Sequence, residues 1–438
     1  MSKEKIIIFG AGKLGQKLFE IMNPVYPVSF FCDNDEEKWG TLFCNVPIIS
    51  PTELLKHLQN NPERIYIANR CFYLGIARQL EKMGIRDYLV YSHIQNGFQN
   101  TILPKLLVEN EMNMLSDFFR VQDGKFCNPL TDIERNLFKD LTIIIPTWNT
   151  DLSPCLNYLD HMLKDIPVEI VLLDGSNDKI FTYNSEFIKQ YTNLTISHFA
   201  VEAMEFHEFI CTGLQYVKTE YCMILRDDDY IVAISIVEAL GILNNDSHIS
   251  MVRGRLAYFC SNVYERDGMK YIENDFNNIM VCDMPNQPLL SESSEERVSY
   301  YSNNYTHDVY YAVTRKNNLL KTLKAVTMHK SFYELELYFK ELLYLYTYVL
   351  MNRIQVIESI IYFRDLTPSH IYDSLASHFS KEILDNNVRI FKQTLIHICK
   401  SHNIALSSET IETLIANLLL FTHPRYKLAK KYKEDIIV

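Results

Sequence analysis

The chain has 438 residues and a formal net charge of −11, with 47% hydrophobic and 22% charged residues. This is the composition of a folded protein with room for two or three domains, and its acidic balance argues against general nucleic-acid binding. No secretory signal and no apolar run of the ~20 residues needed to span a bilayer is present, which favours a cytoplasmic location. The ten cysteines lack metal-ligand spacing and predict reduced, mostly buried thiols.

Residues 1–95 predict a small Rossmann-like domain. A strand over Lys5–Phe9 leads into a glycine-rich turn that opens a helix, and a second strand, Val28–Asp33, ends in an acid. The glycines permit a tight turn and close approach of a phosphate, which the helix N-terminus attracts. The candidates for an N-terminal nucleotide site are therefore Gly10, Gly12, Gly15 and Asp33.

Whether this domain binds a ligand is left open by its sequence. A full dinucleotide site needs a second βαβαβ half, which the segment is too short to supply. Phe31–Asp35 and Val46–Ser50 resemble the Rossmann-like modules attached to sugar-modifying enzymes, but Cys44 stands near a position where such modules often have glycine. Ligand binding and a structural or docking role are equally favoured, and Asp33 either contacts a ribose or caps the turn.

Residues 96–140 predict a structured linker, because their apolar content is too high for a disordered segment. Within it, Leu106–Phe119 has the pattern of an amphipathic helix.

Residues 141–366 alternate apolar strands with helices, which predicts βαβ units and a mostly parallel sheet. The predicted strand Tyr221–Leu225 runs into the triple aspartate Asp227–Asp229. Three adjacent carboxylates alone suggest a solvated acidic turn. Two neighbouring strands, however, end near Asn149 and Asp174, and ligands of such sheets bind beyond the carboxyl ends of the strands. A divalent cation, which prefers oxygen ligands, would relieve the repulsion in such a crevice.

These motifs resemble family 2 glycosyltransferases of the GT-A fold, and most nearly a bacterial subgroup with a triple-aspartate motif. The residues that carry the likeness are Thr142–Asn149, Leu172–Asp178 and Arg226–Tyr230. The likeness implies an α/β fold with a mixed, mostly parallel central sheet. It also implies an inverting transfer of sugar from a nucleoside diphosphate sugar to a hydroxyl of a glycan or lipid-linked acceptor, in bacterial surface glycan synthesis.

The resemblance further implies roles for single residues. Asp174 would contact the nucleoside. Asp227 and Asp229 would bind the ribose and a Mn²⁺ or Mg²⁺ ion on the diphosphate, with Asp229 as the main metal ligand. The other residues of the expected nucleotide-sugar site are Pro146, Thr147, Asn149 and Asp228.

The candidate catalytic base is Glu341, on a helix predicted from about Ser331 to Met351. Glu341 begins the Glu-Leu-Leu of the subgroup's pattern, and Arg364 follows at the matching distance as a candidate phosphate contact. Glu334 lies seven residues earlier and would share the face of a continuous helix. For Glu341, the roles of catalytic base and surface carboxylate are equally favoured.

Two segments before this helix complete the prediction for residues 141–366. Cys260–Tyr305 is expected to be irregular, with Ser291–Glu296 as an acidic loop. This loop is either a solvated surface loop, which is favoured, or a lid that orders when the donor binds. A return strand is predicted over His307–Arg315, and its first residues, His307 and Asp308, are candidate acceptor contacts.

Residues 367–438 predict a helical C-terminal region with helices over Lys381–Ser401 and Ser408–Leu420. The segment Pro424–Lys433 is basic and aromatic. It is either a solubilising tail or a contact to anionic lipid at the membrane surface or to a lipid-linked acceptor.

Two other classes of function remain open. One is a nucleotidyl- or phosphotransferase that uses the same metal site. The other is a non-catalytic nucleotide-sugar-binding protein.

Overall fold

The computed structural model describes residues 4–69, 73–93, 100–102, 108–109, 112, 130–202, 205–266, 269–281, 287–303, 307–365 and 381–422. The chain divides into two compact units. Unit 1 consists of residues 1–117, 257–261 and 274–283, and unit 2 of residues 118–256, 262–273 and 284–438.

Unit 1 is built on a sheet in the order β3-β4-β2-β1-β5-β6-β7. Its inner pairs, from β4 to β6, are parallel, and β3 and β7 pair antiparallel at the edges. The strands are β1 (Ile6–Phe9), β2 (Val28–Cys32), β3 (Leu42–Phe43), β4 (Val46–Ile49), β5 (Arg64–Ile67), β6 (Tyr88–His93) and β7 (Asn100–Ile102). The helices are α1 (Lys13–Met22), α2 (Pro51–Asn60) and α3 (Tyr73–Lys82).

Unit 2 contains a mixed sheet in the order β10-β9-β8-β11-β15-β13-β16-β12, with β14 paired to β13. The first four strands of this order are parallel, because a helix follows each of β8, β9 and β10 and returns the chain to the next strand. Strand β15 then pairs antiparallel with β11. The strands are β8 (Leu141–Thr147), β9 (Glu169–Asp174), β10 (Thr195–Ala200), β11 (Tyr221–Ile224), β12 (Tyr230–Ile231), β13 (Met251–Arg266), β14 (Met269–Val281), β15 (Ala312–Arg315) and β16 (Ile354–Asp365).

The helices of unit 2 bury the apolar strands β8, β9 and β11, whose residues are almost all inaccessible to solvent. Strands buried on both faces read as continuous apolar runs, as these do. The helices are α4 (Asp132–Leu137), α5 (Ser153–Met162), α6 (Asp178–Phe187), α7 (Phe206–Gly213), α8 (Ala233–Asn245), α9 (Ser294–Asn303), α10 (Lys316–Thr327), α11 (Leu337–Met351), α12 (Lys381–Ser401) and α13 (Ser408–Thr422).

The predicted α/β class is confirmed: an N-terminal sheet domain, a mixed central sheet and a helical C-terminal segment are all present. None of the helices within the described ranges is long and apolar enough to cross a membrane. The described cysteines are free, and four of them are buried: Cys32, Cys155, Cys222 and Cys399.

The long helix predicted from Ser331 is broken, which corrects the placement of Glu334. A 3-10 turn covers Lys330–Glu334, and α11 begins only at Leu337. The backbone is extended at Glu336, whose N–H donates to Asn387 Oδ1 at 2.8 Å. A contact from a distant helix thus overrides the local helical pattern, and Glu334 does not share a helix with Glu341.

The prediction that Cys260–Tyr305 is irregular is also wrong in part. Strands β13 and β14 pair as a long hairpin, and α9 begins at Ser294, inside the predicted acidic loop. Many of the hairpin's residues have low strand propensity, and pairing between the strands compensates for this. The expected return strand is shorter than predicted, since His307–Tyr310 is a 3-10 turn ahead of β15.

Two predictions fall outside the described residues. They are the basic segment 424–433 and most of the linker helix 106–119.

Candidate functional site

The predicted crevice lies where β8, β9 and β11 end together. In the register of the parallel sheet, Thr147 pairs with Asp174 at the last position of β8 and β9. The backbone N–H of Leu225 donates to Ile144 O at 2.9 Å, so β11 leaves the sheet beside them. The triple aspartate therefore lies at the same edge as Thr147 and Asp174.

Asp227 faces β8. Its buried Oδ2 accepts a hydrogen bond from the hydroxyl of Thr147 at 2.7 Å. Burial raises the pKa of Asp227, and the charge of Asp228 adds to the rise. Thr147 and Asp227 are thus neighbours, while their predicted contact with a nucleotide sugar stays a prediction.

Asp228 lies between two cations and has one unsatisfied oxygen. Its Oδ2 is 3.0 Å from Arg226 Nη2 and 3.6 Å from Lys270 Nζ. Its Oδ1 is buried and has no hydrogen-bond partner within the described part of the chain. A buried carboxylate oxygen without a partner is costly, and native structures rarely contain one without a reason.

Asp229 is fully buried and anchored to β16. Its Oδ1 accepts from the backbone N–H of Asp365 at 2.7 Å, and its Oδ2 accepts from the hydroxyl of Tyr362 at 3.1 Å. Burial raises the pKa of Asp229 and repulsion from Asp228 adds to it, while Arg226 opposes the rise. Burial is therefore the main reason that the ionised form of Asp229 is disfavoured.

These residues fit a divalent cation for which the protein supplies only some of the ligands. In the described residues no three His, Cys, Asp or Glu side chains are grouped as a complete metal site. Mg²⁺ sites of this kind often take one or two carboxylates and complete their coordination with water and substrate phosphates. Asp228 Oδ1 and the carboxylate of Asp227 are the oxygens best placed for this, whereas both oxygens of the predicted main ligand, Asp229, already accept hydrogen bonds.

Asp174 organises the loop beside this cluster. Its oxygens accept from Ser176 N at 2.9 Å and Asn184 Nδ2 at 2.9 Å, and His198 Nε2 lies 3.0 Å away. Burial works against its ionisation, but the hydrogen bonds from His198, Ser176 and Asn184 outweigh burial and lower the pKa of Asp174. Its predicted contact with a nucleoside stays a prediction.

Asn149 sits in the loop that leaves β8 with a positive φ of 50°. Its N–H donates to Ser176 Oγ at 2.7 Å, and its Oδ1 accepts from Asn177. Asparagine tolerates this left-handed conformation better than most residues. The loops after β8 and β9 are therefore joined, with Pro146 half-buried just before them.

Glu341 and Asp229 both act electrostatically on Tyr311. Arg364 stacks over the ring of Tyr311, with its Cζ 5.2 Å from the ring centroid. Burial raises the pKa of Tyr311, and Arg364 opposes the rise. Both Asp229 and Glu341 add to the rise, so the two carboxylates lie within electrostatic reach of one tyrosine. Glu341 is half-buried, and its predicted role as the catalytic base stays a prediction.

The structure describes the backbone but not the side chains of His307 and Asp308, so their predicted contacts stay predictions. Sequence reasoning missed three residues at the site: Arg226, Lys270 and Tyr362. Arg226 adjoins the triple aspartate and could have been found there. The other two come from distant strands with no local signal.

In unit 1, the glycine turn is formed as predicted. Gly10 has a φ of 120°, and a Cβ there would lie 2.6 Å from Ala68 O. Asp33 Oδ2 accepts from Ala11 N at 2.7 Å and pairs with Lys38 Nζ at 3.3 Å. Asp33 thus caps the turn. A Cβ at Gly12 would meet no heavy atom within 4 Å, so the fold itself does not require glycine there.

Comparison with known proteins gives one family match. The model named C2185-like, N-terminal, matches residues 2–91. A search of curated proteins finds no match.

Several solved structures are similar at low identity. Residues 1–349 of S. aureus TarS in complex with UDP have 15% identity and a TM-score of 0.40, over 65% of this chain and 73% of that chain. The mannosyltransferase PcManGT of Pyrobaculum calidifontis, with GDP-Man and Mn²⁺, has 14% identity and a TM-score of 0.32, over 76% and 94%. UDP-D-quinovosamine 4-dehydrogenase of Vibrio fischeri has 20% identity and a TM-score of 0.21, over 24% and 98%. These TM-scores are low, and function is therefore inferred from the residues of the site itself.

Proposed function

We propose that unit 2 is a glycosyltransferase that takes a sugar from a nucleoside diphosphate sugar bound with Mn²⁺ or Mg²⁺. The observation that carries this proposal is the buried Oδ1 of Asp228, which has no hydrogen-bond partner among the described residues, within a cluster of three carboxylates. The cluster lies at the carboxyl edge of a parallel sheet, where ligands of such sheets bind. The sequence resemblance to GT-A glycosyltransferases supports the same assignment.

The residues of the aspartate cluster and Asp174 would have different roles in this reaction. Asp227 and Asp228 would hold the cation, while Asp229 fixes their loop to β16 through Tyr362 and the N–H of Asp365. The bound ion would neutralise charge on the diphosphate leaving group. Asp174 would orient the nucleoside, directly or through the joined loops that it organises.

Glu341 would accept the proton of the acceptor hydroxyl as that oxygen attacks the anomeric carbon. The bond from that carbon to the diphosphate oxygen breaks on the opposite face, so the configuration inverts. Arg364 would stabilise negative charge on this side of the site, since it already opposes the rise in the pKa of Asp229. A glycan or lipid-linked acceptor in bacterial surface glycan synthesis is proposed from the sequence resemblance alone.

The test is to incubate the purified protein with a panel of nucleoside diphosphate sugars and Mn²⁺ and to identify what is released. A glycosyltransferase releases free sugar and nucleoside diphosphate by slow hydrolysis. Release of sugar phosphate would instead indicate a nucleotidyl- or phosphotransferase. Binding of a donor without any turnover, with acceptor glycans also supplied, would support a non-catalytic binding protein.

A further inference from the structure

Lys270 is fixed by its backbone against the loop that carries Asn149. Its N–H donates to Asn149 O at 2.8 Å, and its carbonyl accepts from the N–H of Asp151 at 2.8 Å. A parallel bridge joins it to Thr150, between these two bonds. The start of β14 is thus held to the loop that leaves β8, and the side chain of Lys270 begins at a defined place.

The ammonium group of Lys270 is close to Asp228 but loosely held. Its Nζ lies 3.6 Å from Asp228 Oδ2, longer than an ordinary hydrogen bond. The same oxygen is already 3.0 Å from Arg226. The Lys270 side chain is 30% exposed, so it can turn towards solvent or a ligand without leaving a cavity. Lysine suits such movement, because its ammonium is a compact charge on a flexible stem.

We propose that Lys270 is a donor-binding residue that exchanges partners. In the free protein its ammonium partly neutralises Asp228. When a divalent cation takes the carboxylates, the ammonium is released and pairs with the diphosphate of the nucleotide. This inference rests on the proposed function, since it requires a nucleoside diphosphate in the crevice.

The exchange predicts two effects of opposite sign for Lys270→Met, which keeps the length of the stem and removes the charge. Binding of Mn²⁺ alone becomes tighter, by about threefold to tenfold, because a competing positive charge is lost. Binding of a nucleoside diphosphate at saturating Mn²⁺ becomes weaker, by about 10- to 100-fold, the loss of one charge-assisted hydrogen bond. A residue that only supported the loop would weaken both.

The measurements use the full chain. Free Mn²⁺ is followed by electron paramagnetic resonance, and UDP, GDP, ADP and CDP are titrated by calorimetry. Lys189→Met is the control, because Lys189 also pairs with a carboxylate, Glu186, but on the exposed surface of unit 2. Should Lys270→Met fail to fold, Lys270→Gln replaces it, with an unchanged circular dichroism spectrum as the criterion.

Unchanged affinity of Lys270→Met for the nucleoside diphosphate, or Mn²⁺ binding no tighter than in the wild type, would overturn the role of Lys270. A wild-type protein that binds none of the four nucleoside diphosphates in Mn²⁺ would overturn the proposed function instead. The two failures are therefore distinguishable.

Discussion

At the scale of single residues, the site depends on three neighbouring aspartates that have different surroundings. Asp227 is held by a hydroxyl, Asp228 by two cations, and Asp229 by a strand that comes more than a hundred residues later. The sequence predicted that a carboxylate cluster would form. It did not predict which oxygen would lack a partner in the part of the chain that the structure describes, because Lys270 and Tyr362 reach the cluster through tertiary contacts alone.

Glu341→Gln tests the assignment of the base. The substitution keeps size and hydrogen bonding but removes the basic carboxylate, so sugar transfer should slow by about 10²–10⁴-fold. Nucleotide affinity should stay nearly unchanged, because the role proposed for Glu341 is on the acceptor hydroxyl and not on the nucleotide. Turnover and donor binding are measured separately, by product assay and by calorimetry.

Glu334→Gln is the matched control for this experiment. Glu334 ends the 3-10 turn before α11 and is exposed, so its loss should leave turnover within a few-fold of wild type. If Glu341→Gln transfers sugar at the wild-type rate, Glu341 is only a surface charge, and Asp308 becomes the next candidate base.

At the scale of elements, errors in the prediction arose where distant contacts override local patterns. The pattern around Ser331–Met351 is helical throughout, yet the contact between Glu336 and Asn387 divides it. The pairing of β13 with β14 was missed for a different reason: Asp267-Gly268, between the two strands, is a turn signal typical of hairpins that the prediction did not use. By contrast, α12 spans Lys381–Ser401 as predicted, because its amphipathic pattern matches its packing.

The helix α7 carries a buried histidine that should make unit 2 sensitive to acid. His207 Nε2 lies 2.9 Å from Tyr310 Oη, while Nδ1 has no hydrogen-bond partner among the described residues. Burial lowers the pKa of His207 from 6.5 to about 3, and the nearby charge of Lys340, which is itself paired with Glu205, adds to this. Between these two values the unfolded state binds the proton and the folded state does not.

The free energy of unfolding should therefore fall as the pH drops below 6.5, by about 1.4 kcal/mol per pH unit from this group. His207→Phe removes the group from a site lined by aromatic rings. Between pH 7 and pH 5 the variant should lose about 2 kcal/mol less than the wild type in urea unfolding. The control is the exposed His161→Gln. Equal losses in wild type and His207→Phe would show that His207 is not the acid-sensitive group.

At the scale of the whole molecule, composition and alternation of elements were enough to predict the α/β class and to bring the candidate site residues Thr147, Asp174 and Asp227 to one edge of the sheet. Apolar runs such as β8 and β9 are visible in sequence because both of their faces are buried. The proposed boundaries between domains stay predictions. Residues 257–261 and 274–283, which belong to unit 1, were placed in the transferase domain by sequence, since contact between distant segments leaves no local pattern.

The central claim is that the aspartate cluster binds a nucleoside diphosphate through a divalent cation. The most direct test is calorimetric titration of UDP, GDP, ADP and CDP into wild type, Asp228→Asn and Asp229→Asn, each with Mn²⁺ and with a chelator. Asp132→Asn is the control, because that side chain is fully exposed in unit 2.

We expect wild type and Asp132→Asn to bind at least one of these nucleotides only when Mn²⁺ is present. Asp228→Asn should lose this metal dependence while keeping a native circular dichroism spectrum, because it removes the charge of the carboxylate with the unpartnered oxygen. Asp229→Asn should also lose it, through displacement of the loop or loss of a ligand. Metal-dependent binding in Asp228→Asn with the affinity of the wild type would contradict the account.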